Sequence, residues 1–341
     1  MKRLLRTSKT VTHHLPANLV AGDESDFVNS VSYRTRPVIL KEFNGVRVSP
    51  DSVAYKNGLL INDTVNGGAA TQYYQFRHLI KKYLKGKTIQ LDRTKKHLLI
   101  TDIDSSGHFH WFCEVLPKLI DIKDDCKDFV LLLPDKPYIN KIGLESLRLM
   151  GFEFGDIIFM KRTGFYKVRD LFYIPSVSKN GLNDDLVKAV HEQIIGNRKA
   201  GKKKIYISRQ KAAYRKIANE EELVSLLQQY GFEILNAEDH TLEEQLDIFS
   251  SCDTLMGIHG AGLTNCFFMR TGGKLVELRK KENNTTNVGY WHLADSLGHA
   301  YYYHNGIPDS DLSLVGRGCN LTIPLADFEK KILASLETIA K

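Results

Sequence analysis

From residue 184 onward the chain alternates short apolar runs with amphipathic stretches in one repeating order, and that order admits few folds. Residues 184–195 space their apolar side chains as a helix does, 204–208 read as a strand, 220–230 as a helix and 232–236 as a strand. Residues 242–250, 254–258, 262–269 and 274–278 continue as helix, strand, helix and strand. Strands separated by helices of this length are joined by right-handed crossovers, which makes the sheet parallel. A helix over 290–297, a strand over 300–304 and a terminal helix from Leu325 complete the pattern.

The first half is less regular. Residues 37–43 read as a strand, and 46–62 as a hairpin turning on Lys56-Asn57-Gly58, because Asn-Gly suits a turn that needs positive φ. An amphipathic helix over 73–84 follows, then strands at 88–91 and 97–101, a helix over 109–118 and a buried parallel strand at 129–133. A helix over 141–150 and strands near 157–160 and 171–174 close this half. At 341 residues and 43% hydrophobic, the chain has the length and the apolar content of two α/β domains, each Rossmann-like. The loop composition of 175–181 puts the boundary there. The expected division is 1–175 and 176–324, with the C-terminal helix 325–341 able to pack back on the first domain. Ligands of such sheets bind at the carboxyl ends of the strands, so a cleft between the two domains is the expected site.

Composition excludes several classes. No window approaches the uninterrupted apolar length of a membrane span, and Met1-Lys2-Arg3-Leu4-Leu5-Arg6 opens no signal peptide. The five cysteines, Cys113, Cys126, Cys252, Cys266 and Cys319, are odd in number and lack a C-x-x-C pair, which argues against a disulfide framework or a zinc knuckle and for buried thiols in a reducing cytosol. Sequons at Asn62, Asn283, Asn284 and Asn320 are then chance triplets. The net charge of +7 suits anionic partners without choosing among them. Two basic clusters, around Lys81-Lys82 with Lys85 and Lys87 and around Arg198-Lys199 with Lys202-Lys203-Lys204, read as solvated helix ends or turns. No aromatic-interleaved basic motif points to RNA, so no nucleic-acid partner is expected.

Four stretches can carry chemistry. Ile258-His259-Gly260-Ala261-Gly262-Leu263-Thr264-Asn265 has the layout of a strand, a glycine turn and a helix start, where free amides and close backbone approach favour an anion such as a diphosphate. The plainer alternative is a tight turn without a ligand. Asn265 stands where a third glycine would complete G-x-G-x-x-G, and no P-loop lysine follows, so neither a dinucleotide fingerprint nor a Walker site is present. That weakens an NAD-dependent dehydrogenase. Tyr206-Ile207-Ser208-Arg209 ends a strand with an arginine whose fork can grip a phosphate, and Arg215 and Lys216 follow in the loop. Asn219 and Glu222 read as an N-cap with a capping-box glutamate.

His110 and Glu114 lie four apart on the helix at 109–118, with Trp111 and Leu116 directed inward. A histidine paired with a carboxylate is a general base in waiting, and a helix-capping histidine beside a surface glutamate is the structural alternative. His108, His110 and Glu114 do not make the H-E-x-x-H of a zinc site. Glu277, ending a strand beside the glycine turn, can accept from ribose hydroxyls or pair with Arg279 or a nearby lysine. Asp102-Ile103-Asp104 has the form of a divalent-cation triplet that also arises often by chance, and no metal is expected. Trp291 and Tyr301-Tyr302-Tyr303 read as core rather than as stacking platforms.

Taken in order, His110-Trp111 with Glu114 and Leu116-Pro117, Tyr206-Ile207-Ser208-Arg209 with Arg215 and Asn219-Glu220, Glu244-Gln245, the turn from His259 to Asn265, and Val276-Glu277-Leu278 resemble glycosyltransferase family 61. The resemblance spans residues 95–280. It implies a GT-B architecture, an inverting enzyme, and a nucleotide sugar, with UDP the expected nucleotide, held mainly by the second domain. By position, Ser208, Arg209 and Arg215 with His259, Gly260, Ala261, Gly262, Leu263, Thr264 and Asn265 would meet the donor, Arg209 and the turn its diphosphate. Glu277 would meet the nucleoside, and His110 and Glu114 would sit at the acceptor side, either of them as base.

No cofactor is implied, and a fixed arginine with helix-terminus amides can stabilise a departing diphosphate in place of a metal. The implied acceptor is a glycan or a lipid-linked oligosaccharide. Bacterial relatives in capsule or surface-polysaccharide assembly fit best, which implies a cytoplasmic protein in peripheral contact with the inner membrane or with other assembly enzymes. A non-catalytic nucleotide- or polyanion-binding module is the competing class.

Overall fold

The computed structural model describes residues 2–65, 69–161, 164–178, 181–281, 287–314 and 318–338. Asn283 and Asn284, the pair 179–180 of the expected boundary loop and the last three residues of the terminal helix lie outside them. The chain forms two compact units, Met1–Thr10 with Arg34–Val190, and Val11–Tyr33 with His191–Lys341. The change of unit thus falls within the helix Asp184–Ile195, downstream of the loop at 175–181, and an N-terminal segment joins the second unit.

The first unit is built on a mixed sheet in the order Asp156–Met160, Phe129–Pro134, Lys96–Leu99, Phe165–Tyr173, Val38–Val48, Ala54–Lys56, Leu59–Leu60. The first four strands are parallel, and Phe129–Pro134 is buried along its whole length, as a central parallel strand must be. Beyond Phe165–Tyr173 the sheet turns antiparallel, so the Rossmann-like expectation holds for only part of it. At the far edge the cause is local: Asn57 (φ 51) and Gly58 (φ 78) make a two-residue turn that pairs Lys56 with Leu59, and so short a connection can only join antiparallel strands. Leu99, Leu132, Val168, Leu171 and Tyr173 belong to one buried cluster.

In the second unit the alternation gives the expected parallel sheet, ordered Phe232–Leu235, Lys203–Ile207, Cys252–Ile258, Lys274–Arg279, Ala300–Asn305. The helices Asp184–Ile195 and Leu242–Ser250 have the expected limits. Phe328, Ile332, Leu333 and Leu336 of the terminal helix pack with Tyr206, Leu227, Met256 and Tyr302, so this helix covers the second unit's sheet. The segment Val11–Tyr33 lies along the last strand, where Ala17 N donates to Tyr301 O and Asn18 exchanges two bonds with the backbone of Tyr303. His13 and His14 both bind Asp295, and Trp291 Nε1 donates to His14 O. Trp291 and the three tyrosines are buried, with the Tyr301 and Tyr303 hydroxyls used by Glu277 and Asp23, as the core interpretation requires. All five cysteines are buried. No helix among the described residues is long and apolar enough to cross a membrane.

Candidate functional site

In the second unit, the carboxyl ends of the two neighbouring strands Lys203–Ile207 and Cys252–Ile258 bring Arg209, Arg215 and the glycine turn together. Gly260 has φ 156 and ψ 176, a conformation that residues with a Cβ rarely adopt. A Cβ there would stand 3.0 Å from Arg209 Nη1 and 3.4 Å from Arg215 Nη1, so the bare backbone is what lets two guanidiniums lie against the turn. Arg209 Nε donates to Arg215 O at 3.2 Å, and Arg215 Nη1 donates to Leu314 O at 3.0 Å. Arg215 itself has φ 59, a left-handed conformation that costs a non-glycine residue about 1 kcal/mol or more. Among the described residues no carboxylate forms an ion pair with either guanidinium. Burial first, and the like charge of Arg215 second, lower the Arg209 pKa, the mark of a cation pair without its counter-ion.

The turn continues into Ala261–Phe268, which is a 3-10 helix rather than an α-helix. Its residues from Leu263 to Phe268 are all buried, so packing rather than helical amphipathicity sets its winding. Gly262 serves that packing, since a Cβ there would meet Ile207 Cγ2 at 3.0 Å. Leu263 N closes the first turn on Gly260 O at 2.9 Å, which leaves the amides of Ala261 and Gly262 as its open donors. Thr264 and Asn265 are buried at 0% and 1% exposure, away from the solvent-facing side of the turn. Ser208 is also buried, its hydroxyl accepting from Gln210 N at 3.2 Å.

Glu277 lies behind the turn and not at its surface. It is 1% exposed, one oxygen accepts from His259 Nδ1 and the other from Tyr301 Oη at 2.6 Å. The alternative, a pair with Arg279 or a lysine, is not what it makes: Arg279 donates to Asp26 at 2.7 Å. Parallel pairing sets Glu277 beside Gly257 and Tyr303, while its side chain reaches His259 at the end of the adjacent strand. Asn219 does hold the N-cap position of the helix Glu220–Gln229, as expected, but not through its side chain. Its side chain makes no capping bond and instead binds the backbone N and O of Ile323, both at 2.9 Å, pinning the segment that leads to the terminal helix. A full capping box does exist one helix later, at Thr241 and Glu244.

In the first unit His110 Nδ1 donates to Glu114 Oε2 at 2.9 Å, with side-chain exposures of 42% and 17%. The bond to Glu114 raises the His110 pKa above its ordinary value, against burial. The helix begins at His108, passes through a π-turn over Trp111–Val115 and continues past the expected end at Lys118 as 3-10 turns, until a kink at Ile122 (φ −125, ψ 18) separates it from a second short helical piece that ends at Asp128. Trp111 and Leu116 are fully buried, and Trp111 Nε1 donates to Ser146 Oγ at 2.8 Å.

One turn beyond Glu114 stands Lys118, which sequence reasoning passed over. It is fully buried, its Nζ donates to Ile100 O at 2.7 Å, and burial lowers its pKa. The i, i+4, i+8 spacing of His110, Glu114 and Lys118 was the available signal. Asp102 is 4% exposed and spends Oδ1 on Asp104 N and Ser105 Oγ, which closes a turn. Of the second basic cluster, Arg198 pairs with Asp247 and Lys203 with Glu233, as a solvated surface would.

Two groups of expected residues are therefore assembled, one in each unit, and the sequence comparisons bear on both. Residues 108–276 match glycosyltransferase 61. The match takes in just under half of the chain, from the histidine pair through the glycine turn, and Glu277 follows it directly. Among curated relatives, an alpha-1,3-arabinosyltransferase of Oryza sativa subsp. japonica, XAT2, is 30% identical over 122 residues, 34% of this chain and 20% of that protein. A second rice alpha-1,3-arabinosyltransferase, XAT3, is 33% identical over 67 residues, 19% of this chain and 12% of its own length. The chain thus spans a fifth or less of the length of either relative. The glycosyltransferase 61 segment contains the arginine pair, the turn and the His110/Glu114 pair.

Proposed function

We propose that this chain is an inverting glycosyltransferase that moves a sugar from a nucleotide sugar, probed first as UDP-linked, to a hydroxyl of a glycan or lipid-linked acceptor. The observation that carries the proposal is the convergence of Arg209 and Arg215 on Gly260, cations without a carboxylate partner among the described residues, beside the open amides of Ala261 and Gly262. Such a cluster asks for a diphosphate, and a departing nucleoside diphosphate is where negative charge grows during transfer. His259, fixed through Nδ1 by Glu277, presents Nε2 as a further donor when protonated. Glu277 then acts through His259, and not on the ribose.

On the acceptor side His110 is the base. Glu114 holds Nδ1, so Nε2 is the nitrogen that takes the acceptor proton while the hydroxyl oxygen bonds to the anomeric carbon and the bond to the diphosphate breaks on the opposite face. No step in this scheme needs a divalent cation, because the arginines carry the leaving-group charge. The two units would be the two domains of a GT-B enzyme, the parallel strands of each supporting that assignment. The names of the rice relatives make a pentosyl donor the first to test. A cytoplasmic role in surface-polysaccharide assembly belongs to the same proposal.

The test is a transferase assay with UDP-pentoses and UDP-hexoses, run with and without EDTA, on wild type and His110→Ala. Turnover that persists in EDTA and is lost in the variant is expected. Absence of turnover with binding of UDP retained would leave a nucleotide-binding module, and full dependence on manganese would overturn the metal-free scheme.

A further inference from the structure

The helix Ala69–Tyr73, Tyr74–His78, Leu79–Lys85 runs without a break through a π-turn, and it is attached to the first unit by one face only. Tyr74 and Leu79 pack against Val53, Tyr55 and Phe165, while His78 and Lys82 both bind Asp51. The opposite face is the reverse of what an amphipathic helix on a soluble core presents. Phe76 is 64% exposed, Ile80 56% and Leu84 80%. They recur every fourth residue, so they form one ridge and not scattered exceptions.

The hairpin tip extends the ridge: Gln75 Oε1 accepts from Leu60 N at 3.0 Å, and Leu59, next to it, is 68% exposed. Arg77 and Lys81, both exposed, flank the apolar row. The sequence carries no aspartate or glutamate between Asp63 and Asp92, while Arg77, Lys81, Lys82, Lys85 and Lys87 fall inside that interval.

We infer that this helix is a docking surface for an anionic lipid bilayer, with Phe76, Ile80, Leu84 and Leu59 entering the headgroup–acyl boundary and Arg77 and Lys81 meeting lipid phosphates. A large apolar ridge with cations beside it, on a segment that carries no acidic residue of its own, is the pattern of interfacial membrane helices. A second copy of the chain fits less well. A two-fold contact sets a patch against itself, so cations would face the same cations with no acidic residue in the segment to relieve them. The ridge also protrudes, and a deformable bilayer receives protrusions without a matching groove.

This inference does not rest on the transfer reaction, and its test measures no turnover. The full chain is sedimented with vesicles of phosphatidylcholine alone, or with about a third phosphatidylglycerol. Binding to the mixed vesicles and not to the neutral ones is expected. Phe76→Ser/Ile80→Ser/Leu84→Ser should weaken partitioning at least about tenfold, since three exposed apolar side chains no longer enter the bilayer. Arg77→Glu/Lys81→Glu should weaken it by about 25-fold or more, from roughly fivefold per basic residue removed. These side chains lie outside the core, so both variants should keep the wild-type melting temperature. Failure of the wild type to bind mixed vesicles, equal binding of the apolar variant, or a solution dimer that the apolar variant abolishes while vesicles go unbound would each overturn the inference.

Discussion

The arginine pair makes a prediction that separates a phosphate site from a merely buried cation cluster. Replacing Arg209 with methionine keeps most of the side-chain volume and removes one of the two guanidiniums that face Gly260. A charge-assisted bond to phosphate contributes about 1.5–3 kcal/mol, so the affinity for UDP should fall roughly 30-fold for a mid-range loss of about 2 kcal/mol. At a UDP concentration about a hundred times the wild-type Kd, ligand binding stabilises the native wild type by about 2.7 kcal/mol. The same concentration is then only about three times the variant's Kd, and the stabilisation drops to about 0.9 kcal/mol. A thermal-shift titration therefore reads the variant's UDP-induced shift at about a third of the wild-type value. Uridine, which lacks phosphates, should give the two proteins the same small shift. An undiminished UDP shift in Arg209→Met, or a uridine response as large as the UDP response, would refute the assignment of this cluster to a diphosphate.

Gly260→Ala should abolish the UDP shift and cost about 1–3 kcal/mol of stability, because its backbone angles are strained for alanine and its Cβ meets Arg209; calorimetry of both proteins checks this. Glu277→Gln should lower stability by about 1–3 kcal/mol, since it leaves the bonds of His259 and Tyr301 without the buried charge they face, and an unchanged melting temperature would contradict that burial. The bond that His110 donates to Glu114 raises the His110 pKa, so the stability it brings is complete below the ordinary histidine pKa of about 6.5 and is lost as pH rises through the folded value. As a base His110 must be neutral, so turnover should fall as pH drops through that raised value, and Glu114→Gln should move this acid limb to lower pH; a limb that stays in place counts against the pair. His292 and His299 are held at about 4, mainly by burial, so their contribution is intact above about 6.5 and fades as pH falls toward 4, a loss that His299→Gln should reduce in melting curves taken across that window.

Wherever a local period or a turn residue decides the outcome, the sequence was enough. The Asn57-Gly58 turn, the uninterrupted burial of Phe129–Pro134 and the limits of Leu242–Ser250 follow from features a few residues long. Lys2–Arg6 carries no alternation, and becomes a strand only because it pairs with Val38–Val48 far along the chain. Phe165–Tyr173 was read as a short strand at its end, although Tyr166, Val168 and Leu171 point inward while Lys167 and Arg169 point out. At the candidate site, the turn and its arginines were legible as residues that suit an anion. That Glu277 lies beneath His259 and that Asn219 holds Ile323 depend on side-chain reach across neighbouring elements, which spacing does not encode.

The segment Val11–Tyr33 has a consequence for the order in which this protein can be made. The ribosome releases it more than 250 residues before the strand it lies along, Ala300–Asn305. At about 5–20 residues per second, the interval is on the order of half a minute. Through that time Phe27, which packs on Trp291 and Tyr303 in the finished fold, lacks both rings, and the second unit cannot close vectorially from its own amino end. Translation speed and chaperone occupancy at this segment therefore bear on the yield of an element more than 250 residues downstream.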